Sequence, residues 1–189
     1  LTGDARAEPW DNSVAAPAWT ADGQTLAFGA EVRARTNLYA VSLSGGAPRL
    51  VQKGGTLGRA EVARDGTLVF THQTLSRPAE LAAVRLDGTG FRFLTSFNEA
   101  LLARLALGET REQTFKGAGG DEVQMFLVLP PGYEPGRPYP LVHVIHGGPV
   151  GTSADGFHPR WNAQAFAAPG YVVAMVNFHG SSSFGQAFV

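Results

Sequence analysis

A repeat restricts this 189-residue chain more than any other feature of it. Asp22-Gly23 returns as Asp65-Gly66, Leu38 as Leu81, Ala40-Val41 as Ala83-Val84, Leu43 as Leu86, Gly45 as Gly88 and Arg49 as Arg92, each pair 43 positions apart. Each unit reads in the same order: an apolar segment (16–20, 58–63), an Asp-Gly turn, a strand (25–29, 67–71), a second strand (37–43, 80–86), a Gly turn and a last strand (49–52, 91–95). Asp-Gly between alternating strands is a strong hairpin signal, because both residues accept the positive φ of a tight reversal. The period is that of one four-stranded propeller blade. A propeller closes only with roughly four to eight blades that bury one another's faces, and two cannot close. Leu1-Thr2-Gly3 resembles the end of an earlier blade, so the expectation is a piece of a longer polypeptide.

After about residue 108 the periodicity changes. Residues 111–116 and 122–129 read as strands, the alternation Val123, Met125, Leu127, Leu129 placing one face of the second towards a core. A Pro- and Gly-rich stretch, 130–138, interrupts regular structure. Residues 141–145 and 171–176 are continuous apolar runs, as expected of strands buried on both faces. Between them a helix is expected over 159–168, with Trp161, Ala165 and Ala168 along one face and a stop at Pro169-Gly170. Strand, helix, strand of this kind indicates a parallel pair in an α/β sheet.

Composition removes several functions. With 44% hydrophobic and 16% charged residues the chain is of globular type, and 24 Gly with 12 Pro favour many turns between short strands. Fifteen Lys+Arg against sixteen Asp+Glu leave a charge of -1, which offers no field for a nucleic acid or an anionic membrane. No apolar run approaches the ~18 residues of a membrane helix. Zero cysteines exclude disulfides, thiolate metal sites and a cysteine nucleophile within these residues. The first ten residues carry Asp4 and Glu8 and no apolar signal core, and the expected compartment is cytoplasmic.

The chemically informative motif is His146-Gly147-Gly148-Pro149, directly after an apolar strand and before the helix. Gly-rich loops at that place turn backbone N–H groups towards a substrate carbonyl, forming half of an oxyanion hole. Glycine suits the task because a Cβ would obstruct both the backbone angles and the substrate. An ordinary turn leaving a strand is the competing reading.

Residues 140–149, Ala168-Pro169-Gly170-Tyr171-Val172-Val173 and Asn177-Phe178-His179-Gly180-Ser181-Ser182-Ser183-Phe184-Gly185-Gln186 together resemble the prolyl oligopeptidase family of serine peptidases, in its acylaminoacyl peptidase and dipeptidyl-peptidase branch. The resemblance spans both halves of the chain. It implies a mixed fold, with antiparallel β-propeller blades over 1–108 and the N-terminal part of an α/β-hydrolase fold over 109–189, truncated before the nucleophile. It further implies that Gly148 donates its N–H to the tetrahedral intermediate, that Gly147 shapes the loop and that His146 occupies the position before the glycines, where relatives carry His or Tyr. His179 departs from the family, many members having Arg there in an Asn-x-Arg-Gly-Ser pattern.

The family's nucleophile elbow, Gly-x-Ser-x-Gly, does not occur among these residues, and the Asp and His that follow it are likewise outside. Ser183 imitates it poorly, with Ser181 rather than glycine two residues before, and reads as part of a polar loop. His143 and His146 diverge on a strand and suit no shared metal, and no cofactor is expected. Asp121 and Glu122 read as a solvated hairpin tip, His158 and Arg160 as the first turn of the helix, Phe157 and Trp161 as core or interface, and His72 as structural. The expected function is therefore part of a serine peptidase that removes acylated amino acids or short N-terminal units from peptides, its triad lying outside the chain. A non-cleaving peptide-binding propeller with a degenerate extension, or an esterase of the same fold, are the alternatives. The expected partners are a short peptide or acyl-peptide substrate, the remainder of the same polypeptide and another copy of itself.

Overall fold

The computed structural model describes residues 10–148 and 150–189. Leu1-Thr2-Gly3, read as the end of an earlier repeat, and Pro149 of the glycine motif lie outside the described residues. The structure is mostly sheet, with few and short helices.

The first repeat is an antiparallel meander of β1 (Val14–Trp19), β2 (Thr25–Val32), β3 (Arg35–Ser42) and β4 (Arg49–Gln52). In the second, the short strands β5 (Thr56–Leu57) and β6 (Glu61–Val62) both lie on β7 (Thr67–Thr74), which pairs with β8 (Arg77–Arg85), followed by β9 (Arg92–Phe93). The Asp-Gly turns fall as expected, with Gly23 at φ 67° and Gly66 at 81°. In each, the Asp side chain accepts the N–H two residues on, from Gln24 and Thr67. The first turn is one residue longer, its closing bond running from Thr20 N–H to Thr25 rather than from Ala63 N–H to Thr67. That extra residue puts Leu26 and Phe28 level with Leu68 and Phe70, two positions the 43-residue spacing hides. One core serves both repeats, with Ala27, Leu38 and Ala40 packed with Leu68, Phe70, Ala82 and Val84. Each meander thus buries the other's face, as stacked repeats must.

On β8 of this sheet Glu80 is buried. Its carboxylate accepts bonds from the Thr95 hydroxyl, the Phe97 and Asn98 backbone N–H groups and the Asn98 side chain. It thereby pins the chain as it leaves β9 for the short helix α1 (Glu99–Leu102). Those bonds, the Thr95 hydroxyl foremost, hold its pKa down at about 2 against burial, which acts in the opposite sense.

The second sheet runs β10-β11-β13-β12, from β10 (Thr110–Lys116), β11 (Glu122–Val128), β12 (Leu141–His143) and β13 (Val172–Asn177). Its one parallel pair is β12 with β13, joined through α2 (Ala163–Ala167), and the others are antiparallel. Three local expectations need correction. β12 stops at His143 and is an edge, with Leu141 62% and Ile145 66% exposed, because no described strand pairs with its outer side. α2 is shorter than 159–168 and buries Ala163, Gln164 and Ala167 rather than Trp161, because Asn162 caps it by accepting the Gln164 N–H at 2.8 Å. On β11 the residues under α2 are Phe126 and Val128, the opposite phase from the Met125 face, and buried Gln124, two residues before Phe126 in that same phase, has its side-chain oxygen bonded by Asn177.

The two sheets meet through hairpin tips of the first. Ala34, at the β2–β3 tip, and Leu75, at the β7–β8 tip, join Phe126, Val128, Ala163 and Val173 in one apolar cluster. Asp155 seals the joint: its N–H donates to the Ala34 carbonyl at 2.8 Å and its carboxylate accepts the Leu75 N–H at 3.0 Å. The same carboxylate lies 3.5 Å from the Arg35 guanidinium.

Candidate active site

The loop after β12 is built by hydrogen bonds to the ends of β13. The Val144 N–H still follows the strand pairing, donating to the Ala174 carbonyl at 2.9 Å, and beyond it the chain leaves the sheet. The His146 ring stacks on Phe178 at 4.4 Å between centroids and 8° between planes. Its Nε2 lies 2.9 Å from the Ser181 hydroxyl oxygen, and that hydroxyl donates to the Phe178 carbonyl at 2.6 Å. A hydroxyl has one proton, so in this geometry Nε2 donates to Ser181, while Nδ1 lies 3.1 Å from the Gly147 carbonyl oxygen, which likewise can only accept. Ser181 is fully buried, and this geometry fixes the ring that starts the loop.

Crowding rather than backbone angle explains Gly148 and Gly151, whereas a Cβ on Gly147 would meet nothing within 4 Å. Neither Gly147 nor Gly148 has a positive φ, so the angular part of the sequence argument does not hold. A Cβ on Gly148 would stand 2.8 Å from the Val150 nitrogen, and one on Gly151 2.7 Å from the Gly147 carbonyl oxygen. The loop doubles back on itself, and only glycine leaves room. Gly151 then bridges to Ser181 in parallel register, and the Ser182 N–H donates to its carbonyl at 2.8 Å.

Fully buried Asn177, last residue of β13, secures the next stretch. Its Oδ1 accepts the Ser153 N–H at 2.7 Å and the Thr152 hydroxyl at 3.1 Å, while its Nδ2 donates to Gln124 at 2.6 Å and to the Ser153 carbonyl at 3.2 Å. His158 follows, its Nδ1 accepting the N–H groups of Arg160 and Trp161 at 3.1 and 2.9 Å.

These pieces border a cleft of about 780 Å³ between the two sheets. His146, Gly147 and Gly151 face it from one side, Thr56 and Gln73 of the first sheet from the other. His143, His158 and Arg160 supply its polar lining, Phe157 and Trp161 its aromatic one. Trp161, read from the sequence as core or interface, lines the cleft and is 52% exposed, with the Arg160 guanidinium over its ring at 5.3 Å. Gly148 is exposed but is not one of the residues lining this cleft among those described. A cleft of this size accommodates a few residues of peptide, with a backbone loop on one wall and cationic or neutral polar groups around it.

The remaining sequence candidates lie elsewhere. His179 pairs with Asp121 at 3.2 Å, and Glu122 with Arg33 at 3.1 Å, on the exposed side of the second sheet. His72 is buried against Phe91 and Phe93, and burial pushes its pKa down, which fits the structural role read from the sequence. Ser183 bonds to the β2–β3 tip rather than to a base. Sequence reasoning gave no role of their own to Asn177 and Asp155, polar residues whose partners are distant in the chain.

No family model matches the chain. It is 31% identical over 182 residues to dipeptidyl-peptidase 5 of Aspergillus fumigatus, covering 94% of this chain and 25% of that protein. The chain spans about a quarter of the length of the curated relatives it matches. Among solved structures it is similar to the Pyrococcus horikoshii acylaminoacyl peptidase, with TM-score 0.80 and 25% identity over 96% of this chain and 27% of the other. It is likewise similar to an acylaminoacyl peptidase in complex with Z-Gly-Gly-Phe-chloromethyl ketone, with TM-score 0.79, 25% identity and the same coverages.

Proposed function

We propose that this chain, which shares sequence and fold over nearly its whole length with peptidases of the prolyl oligopeptidase family, is the part of such a serine peptidase where propeller and hydrolase domain meet. On this reading residues 1–108 contribute propeller blades and residues 109–189 open the α/β-hydrolase domain. The observation that carries it is the loop His146-Gly147-Gly148, which leaves the parallel pair β12/β13 beside a cleft shared by both sheets. The stacked meanders support the blades, and the strand order β10-β11-β13-β12 supports the hydrolase domain.

The chemistry divides accordingly. A serine from outside these residues attacks the scissile carbonyl, a histidine held by a carboxylate takes its proton and returns it to the leaving amine, and the oxygen acquires negative charge. This chain supplies the answer to that charge, the Gly148 backbone N–H, held by a loop that His146 anchors to Ser181 and Phe178. Substrate is a short peptide or acyl-peptide, admitted between the sheets, and the peptidyl chloromethyl ketone held by one structural neighbour is of that class.

The test is a serine-directed phosphonate and a panel of acyl-amino-acid and dipeptidyl p-nitroanilides, applied to the polypeptide encoded by the extended reading frame and to the 189 residues alone. The longer protein should be labelled and active, and the 189 residues neither. Serine-dependent turnover by the 189 residues, abolished by Ser183→Ala, would overturn the division of labour.

A further inference from the structure

Of the triple serine only Ser181 enters the chemistry above, as the anchor of His146, yet each of the three makes a different long-range bond. Ser181 holds the His146 ring at 2.9 Å. Ser182 donates its N–H to the Gly151 carbonyl at 2.8 Å, at the far end of the same loop. Ser183 turns the other way: its hydroxyl oxygen accepts the Ala34 N–H at 2.9 Å and its carbonyl accepts the Arg33 N–H at 2.8 Å. Three consecutive residues thus grip both ends of the glycine loop on one side and the β2–β3 tip of the first sheet on the other.

The backbone there is under strain at both halves of the contact. Ser183 has φ 73°, Arg33 49° and Ala34 60°, three of the four left-handed non-glycine residues among those described. Such conformations persist where the surroundings over-determine them, and here each is held by the other through two hydrogen bonds. Ala34 is buried in the apolar cluster beneath, so the tip itself is rigidly seated.

We propose that Ser181-Ser182-Ser183 is a positioning clasp, which fixes the His146–Gly151 loop relative to the first sheet so that docking of that sheet sets the direction of the loop's N–H groups. The inference rests on the proposed function, since the loop's aim matters only if an oxyanion meets it. Ser183 touches no reacting atom and acts through Ser182 and Ser181.

The experiment compares three variants of the complete peptidase carrying this segment. Ser183→Ala removes the acceptor and leaves the strain, Ser183→Gly removes both, and Ser183→Asn restores an acceptor on a residue that tolerates positive φ. Ala and Gly should each lower kcat about five- to tenfold, as expected for one lost hydrogen bond, with KM unchanged within about twofold. Asn should recover most of the loss. Phosphonate labelling should slow by the same factor, and amide exchange of Ser182, whose N–H donates to the Gly151 carbonyl, should quicken while that of β13 does not. Ser183→Gly guards against misfolding, because relief of strain should keep its melting temperature near the parent's. Unchanged kcat and unchanged exchange at Ser182 in both variants would overturn the clasp. A parent that neither turns over substrate nor takes the phosphonate would overturn the proposed function instead, and the amide exchange would still decide the clasp.

Discussion

Replacing Asn177 by Ala tests whether the cleft wall is held as described. Asn177 is fully buried and makes four hydrogen bonds. The Thr152 hydroxyl has an alternative acceptor in the Ser182 carbonyl at 3.2 Å, so its loss is cheap. The other three groups, Ser153 N–H, Ser153 C=O and the Gln124 carbonyl oxygen, are left inside without partners. Each such orphan costs about 1–3 kcal/mol, and a water entering the vacated space offsets part of it, so about 3–5 kcal/mol is expected. Asn177→Asp sharpens the argument. Its carboxylate still accepts from Ser153 and Thr152, and Gln124, whose Nε2 is buried without a partner, can rotate to donate to it. One carboxylate oxygen nevertheless faces the Ser153 carbonyl, and the buried charge is disfavoured, which raises the new group's pKa. Its folded value then exceeds its unfolded one, so the variant gains stability relative to the parent as pH falls below the folded value. Urea denaturation at neutral pH and at pH 5 measures both. A loss below about 1 kcal/mol for the Ala variant, or an Asp variant with no pH dependence beyond the parent's, would refute this account of the wall.

Other consequences follow from the same structure. In the complete peptidase Gly148→Pro deletes the proposed donor, and kcat should fall on the order of a hundred- to a thousandfold with a smaller change in KM; a folded variant within a few-fold of the parent would show that another loop is used. Glu80, held at about 2 from an ordinary 4.5, stabilises the fold above pH 4.5 and ceases to as pH falls towards 2. Acid unfolding followed by circular dichroism should therefore be less steep in Glu80→Gln across that window. Ala16 sits at φ 48° in the bulge of β1, so Ala16→Gly should raise stability by up to about 1 kcal/mol, and a lower melting temperature would contradict the strain reading.

What the sequence determined by itself was local or periodic. The Asp-Gly turns need only two adjacent residues with the right backbone freedom, and the repeat declares itself because each unit solves the same burial problem as its neighbour. The parallel pairing of the strand before His146 with the strand ending at Asn177 was legible for a related reason, since strand, helix, strand has few ways to pack. Tertiary structure alone decided the rest. That β12 is an edge depends on what lies beside it, not on its own apolar run. That Gly148 and Gly151 answer to crowding rather than to φ depends on where the loop returns. Asn177, Asp155 and the triple serine looked like ordinary polar residues, because a side chain whose partner is 24, 80 or 149 positions away leaves no periodic trace in the chain. Their roles exist only once the two sheets are docked, when burial makes each unpaired polar group costly enough to dictate its partner.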